Sequence, residues 1–325
     1  MRSLKTAVIG VGYFGEFHAH KYAVLPQVEL VAVADIDPAR AGAVASDLDV
    51  RGVTDYRELL GVVDAVSIAV PTAVHYEVAR AFLEAGAHVL VEKPMTDDPA
   101  TARALVDLSK AKARVLQVGH IERFSGARLA LHDVISEPMF VDCQRVAPFK
   151  ARGSDINVIL DMMIHDLDFV LDLVKAPIRD IDAIGVPIVS DEEDIANARI
   201  RFTNGCVASI TASRVSRKTE RVIRLFQHDA YVRIDLHEKK LQVVRKLAAD
   251  VDTGALRLEA NEYPIDEGDP LMREIEAFIA AIVDGTPPLV SGEDGLRAIQ
   301  CAIAITDQMR TWAKTVRRTE SAVSQ

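Results

Sequence analysis

Cysteine, aromatic residues and positive charge are all scarce in this chain. Of its 325 residues, three are cysteine, one is tryptophan and 5% are aromatic. The cysteines are far apart and form neither a CxxC pair nor a Cys/His ligand spacing, so the sequence indicates neither a disulfide framework nor a metal site. The 48 acidic side chains outnumber the 38 basic ones, and the net charge of −10 argues against nucleic acid or a membrane surface as a partner.

Long hydrophobic runs are missing as well. No apolar stretch approaches the length that spans a membrane. The first apolar run is interrupted by Gly10 and Gly12, which is typical of a first strand rather than of a signal peptide. The composition, 49% hydrophobic and 26% charged, is that of an ordinary globular protein, and the length favours two domains. We therefore expect a cytoplasmic enzyme or binding protein.

The first 120 residues alternate short apolar runs with helical segments, which is typical of a doubly wound parallel sheet. Each run is nearly continuous in apolar residues, as expected for strands that helices cover on both faces. The predicted strands are 6–11, 28–34, 65–70, 88–92 and 114–119, and the helices between them include 14–25, 73–84 and 99–113.

After residue 121 the pattern changes to runs that alternate polar and apolar residues, which favours an antiparallel sheet with one covered face. The predicted elements are a helix near 123–135, a strand over 139–146, several strands between 178 and 263, and helices over 270–284 and 293–314. The expected fold is therefore α/β: an N-terminal Rossmann domain (1–121) and a C-terminal α+β domain (122–325) with a large, open-faced, mainly antiparallel sheet.

A glycine-rich loop, Gly10-Val11-Gly12-Tyr13-Phe14-Gly15, follows the first predicted strand and opens a helix. Such glycines allow a tight turn and a close approach to a pyrophosphate, and the helix N-terminus offers free N–H groups. Asp35 ends the second strand 20 residues after Gly15, where a carboxylate accepts hydrogen bonds from ribose hydroxyls and repels a 2′-phosphate. The sequence thus predicts NAD rather than NADP, and Arg40 is a nearby cation that would weaken this preference.

Two further loops follow strands of the same predicted sheet, and ligands of such sheets bind beyond the carboxyl ends of the strands. One is Val70-Pro71-Thr72 with His75 after it, and the other is Glu92-Lys93-Pro94. A solvated residue in the first turn of a helix explains His75 equally well. The residues predicted to contact the cofactor on these grounds are Gly10, Gly12, Tyr13, Phe14, Gly15, Asp35, Ile36, Arg40, Val70, Pro71 and Lys93.

Lys93 lies in a short loop restricted by Pro94, where the nicotinamide of a bound cofactor is expected. An ammonium group there can donate to a substrate hydroxyl oxygen and stabilise the alkoxide that forms as hydride leaves. Most lysines are ordinary surface residues. The position of Lys93 at the carboxyl end of a strand is what favours a catalytic role.

The segment Leu160–Val174 predicts a buried helix with one acidic stripe. Asp161, His165, Asp168 and Asp172 follow each other at steps of four, three and four residues and so share one face of a 3.6-residue helix. Because histidine as a residue type titrates near neutral pH, His165 is the natural general base for oxidising an alcohol, while Asp161 would orient the substrate or supply a counter-charge. Periodicity alone supports a solvated face of ordinary acids equally well.

Together these motifs resemble the Gfo/Idh/MocA oxidoreductases, which oxidise or reduce sugar and cyclitol carbons with NAD(P). The similar segments are AVIGVGYFGEFHA, VADIDPAR, VPTAVHYEVARAFLEAGAHVLVEKP, VGHIERF and DMMIHDLD. The resemblance implies a Rossmann domain and an open-faced sheet domain that often mediates oligomers. It assigns the catalytic lysine to Lys93, the acid to Asp161 and the histidine to His165. It also implies cofactor contacts at Thr72, His75, Glu92 and His120.

Two positions depart from the common pattern of that family. Val158-Ile159 stand where many members have a glycine pair, and Ser125-Gly126 replace the Asn-Pro that commonly follows Arg123-Phe124. These departures speak against inositol or glucose–fructose oxidoreductases without touching the catalytic positions. A narrower resemblance rests on the segments HIERF, RVAPFKARGSDINVILDMMIHDLD, DIANARIRFTNGCVASITASRVSRK and RLFQHDAYVRID. These segments are similar to the branch that contains UDP-N-acetylglucosamine 3-dehydrogenases of lipid A precursor synthesis, whose ketone product is aminated by an aminotransferase.

Basic residues on both sides of the predicted catalytic helix favour an anionic substrate such as a UDP-sugar. Such groups in a net-acidic protein suit a diphosphate, although each member taken singly is as well explained as a solvated charge. The two groups are Arg145, Lys150 and Arg152, and Arg214, Arg217 and Lys218. The predicted substrate-binding residues are Arg123, Arg145, Arg152 and Arg214.

Three functions are compatible with these features. The first is NAD-dependent oxidation of a sugar-nucleotide hydroxyl, the second an inositol or free-sugar dehydrogenase of the same family, and the third a non-catalytic protein that binds NAD and a sugar. The intact acid–base residues argue against the third. Apolar residues on the C-terminal sheet, such as Val207, Ile210 and Val222, further predict a homo-oligomer, a dimer or tetramer, formed through that sheet.

Overall fold

The computed structural model describes residues 3–131, 134–149, 157–248, 257–266 and 268–323. The chain forms two compact units: the first comprises Met1–Phe124 and Asp269–Ile299, and the second comprises Ser125–Gly268 and Gln300–Gln325. A segment near the C-terminus therefore belongs to the same unit as the N-terminal third of the chain. The border predicted between an NAD-binding domain (1–121) and a C-terminal domain (122–325) stays a prediction.

The first unit is built on a six-stranded sheet in which all neighbouring strands are parallel. Its strands are β1 (Leu4–Ile9), β2 (Val28–Ala34), β3 (Arg51–Val53), β4 (Ala65–Ile68), β5 (His88–Glu92) and β6 (Leu116–Gly119), in the spatial order β3-β2-β1-β4-β5-β6. The order reverses between β1 and β4, and doubly wound folds bind ligands at the carboxyl ends next to such a reversal. This confirms the predicted Rossmann architecture.

Two of the first four helices begin with an aspartate cap. Asp37 accepts a hydrogen bond from the Ala39 amide at 3.0 Å, and Asp98 accepts one from the Thr101 amide at 3.0 Å. A proline follows each aspartate at the first helical position, where no N–H partner is needed. The helices are α1 (Tyr13–Val24), α2 (Pro38–Leu48), α3 (His75–Glu84) and α4 (Pro99–Ala111).

The helix predicted near 123–135 is much shorter than expected. The described residues form a 3₁₀ turn over Ile121–Phe124 and a short helix α5 (Gly126–Ala130). Ser125 separates them because its backbone is extended (φ −69°, ψ 151°). Its hydroxyl accepts a hydrogen bond from the Arg128 amide at 3.2 Å, so the residue caps α5 instead of continuing a helix.

The second unit is built on an eight-stranded sheet with the spatial order β14-β13-β12-β11-β7-β10-β9-β8. The pair β7–β10 is parallel and the other neighbours are antiparallel, which confirms a mainly antiparallel sheet. Its elements in chain order are β7 (Phe140–Val146), α6 (Ile164–Val174), β8 (Ile178–Val186), β9 (Ile195–Phe202), β10 (Val207–Ser213), β11 (Glu220–Phe226), β12 (Ala230–Asp235), β13 (Lys240–Leu247) and β14 (Arg257–Pro264).

One face of this sheet forms the core of the second unit. The strand register places Ile223, Cys143, Ile210 and Ala198 side by side, and all four are buried. Helix α6 contributes buried side chains to the same hydrophobic cluster, including Phe169. The core therefore lies between α6 and one face of the sheet, as alternating strand residues predict.

The opposite face carries an aromatic row across three strands. Phe140 lies 5.6 Å from Phe226, and Phe226 lies 5.0 Å from Tyr231, between ring centroids. The apolar face predicted from Val207, Ile210 and Val222 is wrong for two of them. Ile210 and Val222 are 0% and 3% exposed, because packing within the chain already covers them.

Two helices close the chain, α7 (Pro270–Asp284) and α8 (Gly292–Val323). Helix α7 adds Ile275 and Phe278 to the hydrophobic cluster that also holds Val8 of β1, so it packs in the first unit. The division between the two units after Ile299 falls within α8. Among the described residues, no helix has both the length and the apolar character needed to cross a membrane.

Candidate functional site

The glycine loop between β1 and α1 has the geometry of a phosphate cradle. Gly10 has a positive φ of 82°, and a Cβ atom there would lie 2.8 Å from the Ala69 carbonyl oxygen. A Cβ at Gly15 would lie 1.7 Å from the carbonyl oxygen of Gly10, so no side chain fits. Above Gly12 the space is open, with Arg40 Nη1 the nearest atom at 3.9 Å. The residues therefore fit a dinucleotide whose pyrophosphate approaches the backbone.

Asp35, at the end of β2, is buried and held by several donors. Its carboxylate accepts the Val11 amide at 3.0 Å and the Asp37 amide at 2.9 Å, so it links the glycine loop to the start of α2. Arg40 Nη1 lies 3.3 Å and 3.2 Å from the two carboxylate oxygens. This pairing neutralises part of the negative charge that would repel a 2′-phosphate.

His75 is not the solvated residue that one interpretation of the sequence allowed. It is 1% exposed, and its ring bridges two loops at the edge of the sheet. Nδ1 lies 2.9 Å from the Pro94 carbonyl oxygen and Nε2 lies 2.8 Å from that of Val70. Burial lowers the pKa of His75, while the two carbonyl groups and Glu92 act in the opposite direction. Its ring therefore fixes the loop of Lys93 relative to the loop after β4.

Lys93 follows the last residue of β5 and is partly buried, in a loop whose Lys93–Pro94 peptide bond is cis. The preceding Glu92 accepts a hydrogen bond from the Lys93 amide at 3.3 Å. The carboxyl end of β5 lies in the parallel sheet beside that of β4. Lys93 therefore occupies the strand end at which the sequence predicts the catalytic ammonium group.

His120 and Arg123 follow β6 and are both buried, at 1% and 6% exposure. Arg123 forms an ion pair with Asp294, with 3.6 Å between Nη2 and Oδ1. A guanidinium group buried against a carboxylate serves packing within the first unit. Its predicted contact with substrate stays a prediction.

The predicted catalytic helix of the second unit begins with a π-helical turn. Residues Ile159–Met163, which include Asp161, form this turn, and α6 continues from Ile164. A regular α-helix was predicted for the whole segment, so the structure corrects its first turn. With one extra residue in the turn, Asp161 and His165 still lie about one turn apart, and both are partly buried. Single π-helical turns of this kind occur often at functional sites.

The remaining acids of this helix are structural. Asp172 accepts a hydrogen bond from Arg128 Nε at 2.9 Å, and Asp168 is 3% exposed. Asp166, which lies outside the predicted stripe, is also buried and binds Arg145 through two hydrogen bonds of 2.8 and 2.9 Å. The predicted stripe thus has two parts: Asp161 and His165 near its start, and Asp168 and Asp172, which are structural.

Two of the predicted substrate-binding arginines are buried in ion pairs within the second unit. Arg145 is 4% exposed and paired with Asp166, and Arg214 is 5% exposed and paired with Asp194 at 2.8 Å. These guanidinium groups hold the sheet to its neighbours, which the pattern of basic residues could not reveal. Their role in substrate binding stays a prediction, and Arg152 lies outside the described residues.

A buried chain of polar side chains leads to Glu92, and most of its members were not predicted from the sequence. Glu92 Oε1 lies 3.0 Å from His18 Nε2, His18 Nδ1 lies 3.1 Å from Ser67 Oγ, and Ser67 Oγ lies 2.9 Å from the Tyr22 hydroxyl. His18 and Tyr22 are one turn apart on α1, directly after the glycine loop. That spacing was the one signal that could have identified them.

The fold and the glycine cradle define a class of protein, the dinucleotide-binding oxidoreductases with a Rossmann domain. A family model for NAD-binding Rossmann oxidoreductases matches residues 4–120, and a model for the GFO/IDH/MocA C-terminal domain matches residues 141–234. The chain belongs to the Gfo/Idh/MocA family of oxidoreductases, and NAD is the cofactor that its first domain binds.

The relatives cover nearly the whole chain. A UDP-N-acetylglucosamine 3-dehydrogenase of Acidithiobacillus ferrooxidans is 39% identical over 94% of this chain and 97% of its own length. A crystal form of that enzyme superimposes with a TM-score of 0.87 over 96% of this chain and 99% of its own. An inositol 2-dehydrogenase of Rhizobium meliloti is 27% identical over 93% of this chain and 96% of its own.

Proposed function

We propose that this protein is an NAD-dependent dehydrogenase that oxidises the 3-hydroxyl of UDP-N-acetylglucosamine to a ketone. The observation that carries the proposal is the 39% identity, over 94% of the chain, with an enzyme of that activity. The inositol dehydrogenase is 27% identical, which favours the sugar nucleotide over a neutral polyol. The support for a UDP-sugar therefore comes from this sequence relationship. Arg145 and Arg214 add little to it, because each already forms an ion pair with an aspartate of the second unit.

The proposed chemistry uses Lys93, Asp161 and His165. Oxidation of a secondary alcohol removes a proton from oxygen and a hydride from carbon, and NAD, when bound, accepts the hydride. His165 takes the proton, since imidazole titrates near neutral pH. The Lys93 ammonium group donates to the same oxygen and stabilises its developing negative charge. Asp161 orients the substrate or supplies a counter-charge.

Asp35 supports a preference for NAD over NADP. Its buried carboxylate is fixed by the Val11 and Asp37 amides at the position where ribose hydroxyls are recognised. Arg40, which is hydrogen-bonded to the same carboxylate, reduces the repulsion of a 2′-phosphate without removing it. We infer that NADP is used poorly rather than excluded.

The wider setting follows from the same proposal. The ketone product is a substrate for an aminotransferase, as in the synthesis of lipid A precursors, and this setting is cytoplasmic. We infer further that the protein is a homo-oligomer formed through the sheet face that carries the aromatic row. The aromatic row of Phe140, Phe226 and Tyr231 supports this inference, because partly exposed aromatic side chains are enriched at interfaces.

The direct test follows NADH formation with NAD and UDP-N-acetylglucosamine, with myo-inositol and free N-acetylglucosamine as comparison substrates. Lys93→Met is expected to lower turnover by roughly 10² to 10⁴-fold. Lys110→Met is the matched control, since Lys110 is exposed and pairs with Glu293 on the surface. Equal loss of turnover in both variants, or turnover with inositol alone, would contradict the proposal.

A further inference from the structure

The carboxylate of Glu92 is enclosed on several sides at the end of β5. A Cβ atom at Gly119, on the neighbouring strand β6, would lie 3.0 Å from both of its oxygens. His18 Nε2 is hydrogen-bonded to one oxygen, and the Lys93 amide donates a hydrogen bond to the other. Any side chain at position 119 would therefore displace the carboxylate, and the glycine leaves room for it.

The donors behind Glu92 have a consistent direction. Burial is the largest cause that raises the pKa of Tyr22, so its hydroxyl stays protonated and can donate to Ser67. Ser67 then donates to His18 Nδ1, and His18 Nε2–H donates to Glu92. Each donor in this order has one acceptor, and a neutral imidazole satisfies the whole chain.

The charged and titratable groups that face Glu92 come from four elements. They are His18 from α1, His75 from α3, Glu274 from α7, and Lys93 next to it. Burial opposes ionisation of Glu92, but the hydrogen bond from His18, followed by the charge of Lys93 and the Lys93 amide, acts in the opposite direction, and the pKa of Glu92 is lowered. Burial, followed by the charge of Glu92, raises the pKa of Glu274 well above its usual value. One carboxyl group is thus charged and its neighbour neutral.

We propose that His18 is a positioning residue that acts through Glu92 on Lys93. The imidazole, fixed by Ser67 and Tyr22, holds the Glu92 carboxylate beside the lysine, and the carboxylate keeps the lysine in its ammonium form. Desolvation and the positive nicotinamide ring both favour the neutral amine, so the carboxylate is what opposes them. This assignment rests on the proposed role of Lys93 and adds four residues to it: His18, Ser67, Tyr22 and Glu92.

The proposal predicts the pH dependence of kcat. The acidic limb reports the general base, and the alkaline limb reports loss of the ammonium proton. Glu92→Gln removes the negative charge while keeping the shape, and it should move the alkaline limb down by on the order of one pH unit. His18→Gln should move it in the same direction. In the double variant His18→Gln has no further effect, because its action passes through Glu92.

One control and one milder variant separate this role from a general effect on the fold. His20→Gln changes the same helix at a partly exposed residue that pairs with Asp47, and it should leave both limbs in place. Ser67→Ala is a milder change in the chain and should shift the alkaline limb less than His18→Gln. If His18→Gln does not fold, Ser67→Ala in the wild-type and Glu92→Gln backgrounds gives the same cycle.

A second readout does not depend on turnover. Nitrogen-15 spectra of histidine-labelled protein should show His18 protonated at Nε2, and Ser67→Ala should disturb that tautomer. Additive shifts of the alkaline limb in the double variant, or His18 protonated at Nδ1 alone, would overturn the proposal. If no UDP-sugar is oxidised but the tautomer is as expected, the proposed function fails and the hydrogen-bonded chain stands.

Discussion

Two sets of buried carboxyl groups, Asp166 and Asp194 in the second unit and Glu92 and Glu274 in the first, have different partners. In the second unit Asp166 and Asp194 each bind an arginine, a base that keeps its proton in proteins. In the first unit Glu92 binds a histidine, and neither carboxylate oxygen of Glu274 has a hydrogen-bond partner among the described residues. The second unit thus has permanent ion pairs, whereas charge near Lys93 depends on proton positions. We conclude that the arginine–aspartate pairs of the second unit stabilise the fold, whereas the groups around Glu92 adjust the proposed chemistry of Lys93.

The largest change in stability is expected from Asp194→Ala. It leaves the buried guanidinium group of Arg214 without its carboxylate, and breaking such a pair costs about 3–5 kcal/mol. Asp180→Ala is the control, because the ion pairs of Asp180 are exposed and should contribute little. Urea denaturation at neutral pH measures both. Similar losses in the two variants would remove the distinction between permanent buried pairs and surface pairs.

The same aspartate should determine part of the acid sensitivity. Burial raises the pKa of Asp194, but the amides of Val189 and Ile188 and the side chain of Arg214 more than offset this, and the pKa is lowered. Its stabilisation is therefore complete above the unfolded pKa of about 4 and is lost as pH falls towards the folded value. Asp194→Ala should differ from the wild type most at neutral pH and least in acid.

The opposite pH dependence is expected from Glu274→Gln. Because burial raises the pKa of Glu274, folding favours its protonated form, and this stabilisation is full below the unfolded pKa of about 4.5. Above it, each pH unit up to the folded pKa costs the wild type about 1.4 kcal/mol. The glutamine variant should therefore gain stability relative to the wild type as pH rises. Urea denaturation at pH 5 and pH 8 tests this, and a loss that is the same at both would contradict it.

The smallest expected change in stability is that of Gly119→Ala, with a larger effect on turnover. The new methyl group would meet the Glu92 carboxylate at 3.0 Å and move it away from its place beside Lys93. Overpacking costs about 1–3 kcal/mol, and the lower backbone entropy of alanine offsets part of this, so we expect a small loss of stability and a fall in kcat of about tenfold. Gly42→Ala, a helical position with no atom within 4 Å of an added Cβ, is the control and should leave kcat unchanged. Equal kcat in both variants would argue against the placement of Glu92.

The sequence predicted those features that depend on local order along the chain. The glycine loop, the strand ends at Asp35 and Lys93, and the mainly antiparallel second sheet follow from periodicity and from residue types at fixed spacings. These patterns are local because each strand or turn forms from neighbouring residues. They gave the fold class and the edge of the sheet where the site lies.

Features that depend on distant contacts were not predictable in this way. Nothing in the sequence near Arg145 or Arg214 shows that each meets an aspartate 20 or 21 residues away across a buried interface. Glu274 lies far along the chain from Glu92, and only the packing of α7 in the first unit brings the two carboxyl groups close enough for the charge of Glu92 to raise the pKa of Glu274. The π-helical turn around Asp161 was also not predicted, because the prediction assumed the 3.6-residue periodicity of a regular α-helix.

The most direct test of the central claim is the structure of the product made from UDP-N-acetylglucosamine and NAD. The account predicts that NADH forms and that nuclear magnetic resonance shows a ketone at carbon 3 of the sugar, with the diphosphate intact. If the ketone is unstable, an added aminotransferase with glutamate should trap it as the 3-amino sugar. No turnover with any UDP-sugar, together with oxidation of inositol or a free hexose, would contradict the account.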